Sequence, residues 1–147
     1  MIIEKISPNN REKAMVLVLS VFMRYETSDY SEQGIQTFRD FINNKESLDA
    51  LEVYGAIENN KITGVVATRN NGNHIALFFV DGKYHRQGIG RKLFDTIVSK
   101  STGDKITVNS SPYAVEVYKK LGFISDGAEQ IAEGMRFTPM IYIKCAP

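Results

Sequence analysis

The chain is poor in the residues that build stapled or metal-held folds: it has one cysteine, Cys145, two histidines, His74 and His85, and no tryptophan. One cysteine cannot close an intramolecular disulfide. With two histidines, no His-x-x-x-His pair and no clustered Asp/Glu set, it also falls short of a zinc pattern, so no metal requirement is expected. An excess of one charge is lacking too. Eighteen basic against seventeen acidic side chains leave a net charge of +1, which offers neither nucleic acid nor an anionic membrane an electrostatic footprint. No apolar run approaches the length that spans a bilayer, and residues 1–6 lead into folded-looking sequence without a signal segment, so a cytoplasmic location is expected.

What is present suits one globular domain with a real core over residues 1–147: 43% of residues are hydrophobic and 24% charged. No linker, repeat or low-complexity segment divides the chain. Ile2, Ile3 and Ile6 predict a short strand, and Ser7-Pro8-Asn9-Asn10 supplies turn and cap residues. Ala14, Leu17, Val18, Val21 and Phe22 then repeat at helical spacing to about Tyr25, and Ile35, Phe38, Phe41 and Ile42 mark a second amphipathic helix ending near Asn43-Asn44. Three β-rich runs, 51–58, 61–69 and 74–80, are separated by Asn59-Asn60 and Asn70-Asn71-Gly72-Asn73 and read as an antiparallel meander. A helix over Ile89, Leu93, Phe94, Ile97 and Val98, a buried strand at 106–108 and a helix over Ala114, Val117, Tyr118 and Leu121 follow. Strand, helix, strand in that order is a βαβ unit with parallel pairing, right-handed by the usual rule. Two strands, 123–131 and 137–144, close the chain around a turn at Glu133-Gly134.

Between the meander and the next helix lies Tyr84-His85-Arg86-Gln87-Gly88-Ile89-Gly90-Arg91. Unpaired N–H groups and the helix dipole favour an anion at such a place. Gly88 and Gly90 let the backbone approach a pyrophosphate without an intervening Cβ, and Arg86 and Arg91 add charge at the edge. A Gly-x-Gly pair alone is equally well a tight turn. A P-loop would need Gly-Lys-Ser/Thr, and a dinucleotide fingerprint a third glycine where this chain has Leu93. A nucleotide-binding regulatory module is therefore the poorest of the readings considered.

The second motif, Asn109 through Phe123, opens after the buried strand, with Pro112 suited to a first helical turn and Gly122 to a helix stop. Together the two motifs resemble the GNAT superfamily of acetyl-CoA-dependent N-acetyltransferases. The pyrophosphate turn of that family, Gln/Arg-x-x-Gly-x-Gly/Ala, is matched by His85-Arg86-Gln87-Gly88-Ile89-Gly90, with His85 departing from it at the first position. Its Tyr-x-x-x-Gly-Phe ending is matched by Tyr118-Lys119-Lys120-Leu121-Gly122-Phe123. The segments 129–140 and 22–25 are similar to one broad bacterial branch of the superfamily.

The resemblance covers essentially the whole chain. It implies an α/β (α+β) fold, a mixed, mostly antiparallel twisted sheet of about seven strands flanked by about four helices. It implies acetyl-CoA as cosubstrate and the amine of a small molecule or peptide as acceptor. It gives Tyr118 the role of general acid toward the departing thiolate, against the lesser alternative of a core tyrosine on the stripe Ala114-Val117-Tyr118-Leu121. A backbone N–H of Phe78-Phe79-Val80, opened by a bulge, polarises the thioester carbonyl, and Phe79, Val80, His85, Arg86, Gln87, Gly88, Ile89, Gly90 and Arg91 hold the cofactor. Asn109 and Ser111 contact its pantetheine arm or cap the following helix. No base is assigned among Glu26, Asp81, His74 and Glu129: Asp81 reads as a turn residue and Glu26 as a solvated helix end. The fold implies an acceptor site between residues 24–31 and the final hairpin around 132–136, with Tyr25, Tyr30, Glu129 and Arg136 as candidate lining residues. An acyl-CoA sensor without turnover is the alternative, favoured by the departure at His85 and opposed by Gly88, Gly90 and Tyr118. Exposed strand edges near the end of the chain would allow a homodimer.

Overall fold

The computed structural model describes residues 1–84 and 87–144. Eight strands of the described residues form the sheet: β1 (Ile2–Lys5), β2 (Glu52–Glu58), β3 (Lys61–Arg69), β4 (His74–Val80), β5 (Lys105–Ser110), β6 (Ile124–Ser125), β7 (Gln130–Ala132) and β8 (Met135–Ile143). Their spatial order is β1-β2-β3-β4-β5-β8-β6, with β7 paired to β8. Among the described residues β4–β5 is the one parallel pair. Among the described residues five α-helices accompany the sheet: α1 (Arg11–Tyr25), α2 (Glu32–Ile42), α3 (Lys45–Asp49), α4 (Ile89–Lys100) and α5 (Val115–Leu121). No helix is long and apolar enough to cross a membrane, among the described residues.

Local chemistry explains the boundaries. Ser31 caps α2 by accepting the Gly34 N–H at 3.2 Å. Asn59 and Asn60, at φ 50° and 64°, make the two-residue β2–β3 turn that a tight hairpin requires. The pair Asn43-Asn44 ends one helix and begins another, because the Asn44 side chain accepts the Ser47 N–H at 3.0 Å and starts α3. That is one helix more than the pattern predicts. Likewise the expected strand over 123–131 is two: at Asp126 the N–H donates to the Pro139 carbonyl at 2.7 Å, and Gly127, at φ 143°, turns the chain away before β7. The last helix begins at Val115 and not at Pro112, since Ser111 Oγ accepts the Ala114 N–H at 3.2 Å and holds a turn there. Gly122, at φ 108°, stops it.

β3 is buried on both faces, which is why its apolar run does not alternate. Val65 and Ala67 face a core with Ala14, Val18 and Phe22 of α1, and Val66 faces one with Leu93, Phe94 and Ile97 of α4. The sheet is not zipped throughout. β4 and β5 share only the pairs His74–Thr107 and Ile75–Val108, while β5 stays paired with β8 as far as Ser110–Thr138. The β3 partners jump from Ile75 to Leu77, so Ala76 is an extra residue that bends β4. The bulge expected within Phe78-Phe79-Val80 lies upstream of them, where the parallel ladder stops. A wedge opens between β4 and β5 from that point.

Candidate active site

The ladder on the other side of β4 sets what faces the wedge. The Asp81 N–H donates to the Thr63 carbonyl at 2.8 Å. In this antiparallel register Asp81, Phe79 and Leu77 are then the residues bonded to β3, and the N–H and C=O of Phe78 and Val80 point to the wedge. Beyond β4, the Asp81 carboxylate accepts the Lys83 N–H at 3.0 Å and closes a turn. Gly88 then begins α4 at φ 79°. Among the described residues a Cβ on Gly88 would meet no atom within 4 Å, and the nearest to one on Gly90 are atoms of Phe78 and Val80 at 3.8–3.9 Å. The protein's own packing therefore does not require Gly90 to lack a side chain.

A cleft of about 410 Å³ runs from this turn to α5, lined by Val80, Tyr84, Gly88, Ile89, Gly90, Tyr113, Val117 and Lys120. A second cavity of about 200 Å³ lies toward α2 and the β7–β8 hairpin, lined by Phe22, Tyr30, Phe38, Asn109, Ser111, Met135, Arg136 and Phe137. Glu26, Phe78, Phe79, Ala114 and Tyr118 line both. Two spaces thus meet at one carboxyl, one phenol and one outward-facing strand backbone.

Tyr118 is 5% exposed and packs edge-on against Phe78 and Phe123, with centroids 5.9 and 5.2 Å away. Burial raises its pKa, with the Glu26 charge adding to the shift, so the phenol keeps its proton. Its core role and its place in the site hold together. Glu26 is 6% exposed. Its carboxyl is pushed up to about 7 by burial, an effect that a hydrogen bond from Ser111 opposes and Asp29 reinforces. Tyr30 is raised by burial and by Glu26, while its hydrogen bond with Ser111 pulls the other way. Arg136 is committed: Nε and one terminal nitrogen donate to the Glu129 carboxylate at 3.2 and 3.1 Å, and the other donates to the Asp29 carbonyl at 3.3 Å.

Of the residues singled out in the sequence, Phe79, Val80, Gly88, Ile89, Gly90 and Tyr118 border the larger cleft. Asn109 and Ser111 border the smaller cavity instead. Gln87 is exposed beside Gly88, and Arg91 donates to the Lys120 carbonyl at 3.3 Å, tying α4 to α5. His85, Arg86 and Cys145 lie outside the described residues. His74 sits at the closed end of β4, paired with Thr107 at 2.8 Å and lowered to about 4 by burial and by Arg69. Asp81 belongs to its turn. Glu26 is the correction: it is buried at the meeting point of both spaces, not a solvated helix end. A signal for it exists, since Ala14, Val18 and Phe22 form an i, i+4 stripe whose next member is residue 26. Phe78, Ala114 and Lys120 also border the cleft without having been singled out as binding residues.

A family model described as an acetyltransferase (GNAT) domain matches residues 26–144. No curated protein matches in sequence. Among solved structures, a GCN5-related N-acetyltransferase from Rhodopseudomonas palustris aligns at a TM-score of 0.84 with 16% identity, covering 97% of this chain and 94% of that one. The PaiA N-acetyltransferase of Thermoplasma acidophilum, solved with coenzyme A, aligns at 0.73 with 18% identity, over 97% and 99%. A GNAT-family acetyltransferase from Staphylococcus aureus aligns at 0.70 with 18% identity, over 97% and 98%.

Proposed function

The chain belongs to the GNAT family of acetyl-CoA-dependent N-acetyltransferases, and we propose that residues 1–147 act as one catalytic domain transferring an acetyl group to a primary amine, with Tyr118 as general acid. The observation that carries this reading is the meeting of two spaces at Tyr118 and the β4 backbone. A two-substrate transfer needs that arrangement: one space for the thioester arm and another for the nucleophile.

Acetyl-CoA supplies an activated acetyl thioester. The larger cleft fits it: the wedge gives an extended arm an edge to pair with at Phe78. The α4 amino terminus offers N–H groups to a pyrophosphate at Gly88, Ile89 and Gly90. Lys120 lies on the same cleft, and Gln87 adjoins Gly88 in sequence. The Phe78 N–H, facing the wedge, polarises the acyl carbonyl, and Tyr118 returns a proton to the departing sulfur. The turn-capping hydroxyl of Ser111 orients the groups on the acceptor side.

Calorimetric titration of acetyl-CoA, with thiol release followed against an amine panel, tests this reading. Tyr118→Phe is expected to bind acetyl-CoA within about twofold of wild type and to lose roughly a hundredfold in kcat, the size usual for one general acid. An unchanged kcat would remove Tyr118 from the chemistry, and tight binding without thiol release from any amine would leave an acyl-CoA sensor.

A further inference from the structure

We infer that the acceptor is a compact apolar primary amine carrying no carboxylate, and that Glu26 takes the proton its ammonium group must lose before attack; the inference rests on the N-acetyltransferase reading above. The first part follows from the walls of the smaller cavity. Phe22 and Phe38 stack with centroids 3.9 Å apart, and Tyr30 stacks with Phe22 at 5.6 Å. Phe79, Met135 and Phe137 complete an apolar wall. A volume of about 200 Å³ is close to the roughly 150 Å³ that accepts a benzene ring in an engineered apolar cavity. One ring or a branched alkyl group with a short aminoalkyl arm therefore fills it.

Charge narrows the class further. Arg136 is the cation bordering the cavity, and its guanidinium already binds both Glu129 oxygens and the Asp29 carbonyl. A substrate carboxylate would have to break that pair. Glu26 has no cationic partner among the described residues, so the ionisable group facing an entering amine without a countercharge is a carboxyl. The polar groups around it come from every side: Asp29 and Tyr30 from the turn after α1, Ser111 from the end of β5, Tyr113 and Tyr118 before and on α5, and Arg136 through Tyr30. None but Arg136 is cationic. The raised pKa of Glu26, about 7, suits a base that is partly ionised at neutral pH.

The proton balance closes. Ionised Glu26 accepts one proton from the ammonium and later releases it to water. The neutral nitrogen attacks the thioester carbon, the C–N bond forms and the C–S bond breaks. The nitrogen sheds a second proton, which makes good the one Tyr118 gives to the sulfur. The products are an amide, a thiol and one proton released to solvent.

The test measures thiol release by the full chain with 2-phenylethylamine, phenylalanine, spermidine and a lysine-containing peptide, for wild type and Glu26→Gln. Wild type is expected to show at least tenfold higher kcat/KM for 2-phenylethylamine than for the other three, rising through pH 7. Glu26→Gln is expected to lose about a hundredfold at pH 7.5 and to lose the rise near pH 7, with acetyl-CoA affinity unchanged by calorimetry. Turnover preferring phenylalanine, spermidine or the peptide would overturn the acceptor class, whatever the state of the variant. A Glu26→Gln profile identical to wild type would overturn the base. If acetyl-CoA failed to bind wild type, the acetyltransferase reading itself would fall, and this inference with it.

Discussion

Gly88 and Gly90 stand two residues apart and answer to different constraints. Gly88 needs its left-handed φ of 79°, and a side chain there costs roughly 1–2 kcal/mol of backbone strain although nothing crowds it. Gly90 is an ordinary helical residue whose added methyl would make normal contacts with Phe78 and Val80, and in a helix alanine is favoured over glycine by up to about 1 kcal/mol. If the missing methyl serves a ligand, Gly90→Ala should melt no lower than wild type yet bind acetyl-CoA about tenfold more weakly, whereas Gly88→Ala should lose stability first. Thermal melts paired with calorimetry separate the two, and unimpaired binding by Gly90→Ala would assign the residue to the fold alone. Both glycines and Tyr118 were legible because each sits in a local pattern. Glu26 was legible only in part: the stripe of Ala14, Val18 and Phe22 points to residue 26, but a carboxylate at a helix end is usually solvated, and the Ser111 it bonds and the Phe78, Phe79 and Tyr118 that line the same cavity lie far away in the sequence.

At the scale of elements, the acceptor cavity depends on how the β7–β8 hairpin lies on α2. Gly34 is the contact: a Cβ there would collide with the Gly134 carbonyl oxygen, so the two backbones touch directly. Thr37 Oγ1 adds a hydrogen bond to the Glu133 carbonyl at 2.8 Å, and Arg136 reaches the Asp29 carbonyl. Gly34→Ala must push the hairpin outward, carrying Met135, Arg136 and Phe137 with it. The expected result is a several-fold rise in KM for the amine with acetyl-CoA affinity held, because no residue of the hairpin lines the larger cleft. Steady-state kinetics with each substrate varied in turn checks this, and an equal loss for both substrates would contradict it. The sequence revealed the helices other than α3, the meander and the turn at Glu133-Gly134, whose φ angles of 50° and 81° suit such a turn. It did not reveal the division of 123–131 into two strands, nor the approach of residue 34 to residue 134. Periodicity reports which face of an element is apolar, whereas contact between two distant glycines leaves no repeat to read.

For the molecule as a whole, keeping Glu26 buried between two cores has a cost that pH exposes. Its carboxyl moves from 4.5 unfolded to about 7 folded, so between those values the folded state holds a proton that the unfolded chain has released. Stability contributed by that proton is complete below pH 4.5 and is lost as pH rises to 7, a fall of roughly 3 kcal/mol at about 1.4 kcal/mol per unit. His74 acts in the opposite direction. Lowered from 6.5 to about 4, it stays neutral in the fold while the unfolded chain takes up a proton, so its contribution to stability rises from pH 4 to 6.5 and is level above. It is partly exposed, and solvent screening makes it the weaker of the two. Denaturant melts should therefore show a shallow decline in stability from pH 4.5 to 6.5 and a steeper one to pH 7. His74→Asn should steepen the first part, and Glu26→Gln should reverse its sign. At pH 8, Glu26→Gln should melt several degrees above wild type, at about 2–4 °C per kcal/mol for a chain of this size, while turning over far more slowly. A stability gain joined to a loss of turnover is what a buried carboxyl kept for proton transfer produces. A carboxyl buried for packing alone would give the stability gain without the loss of turnover, so a Glu26→Gln chain that melts higher at pH 8 yet turns over as wild type would return Glu26 to the structure alone.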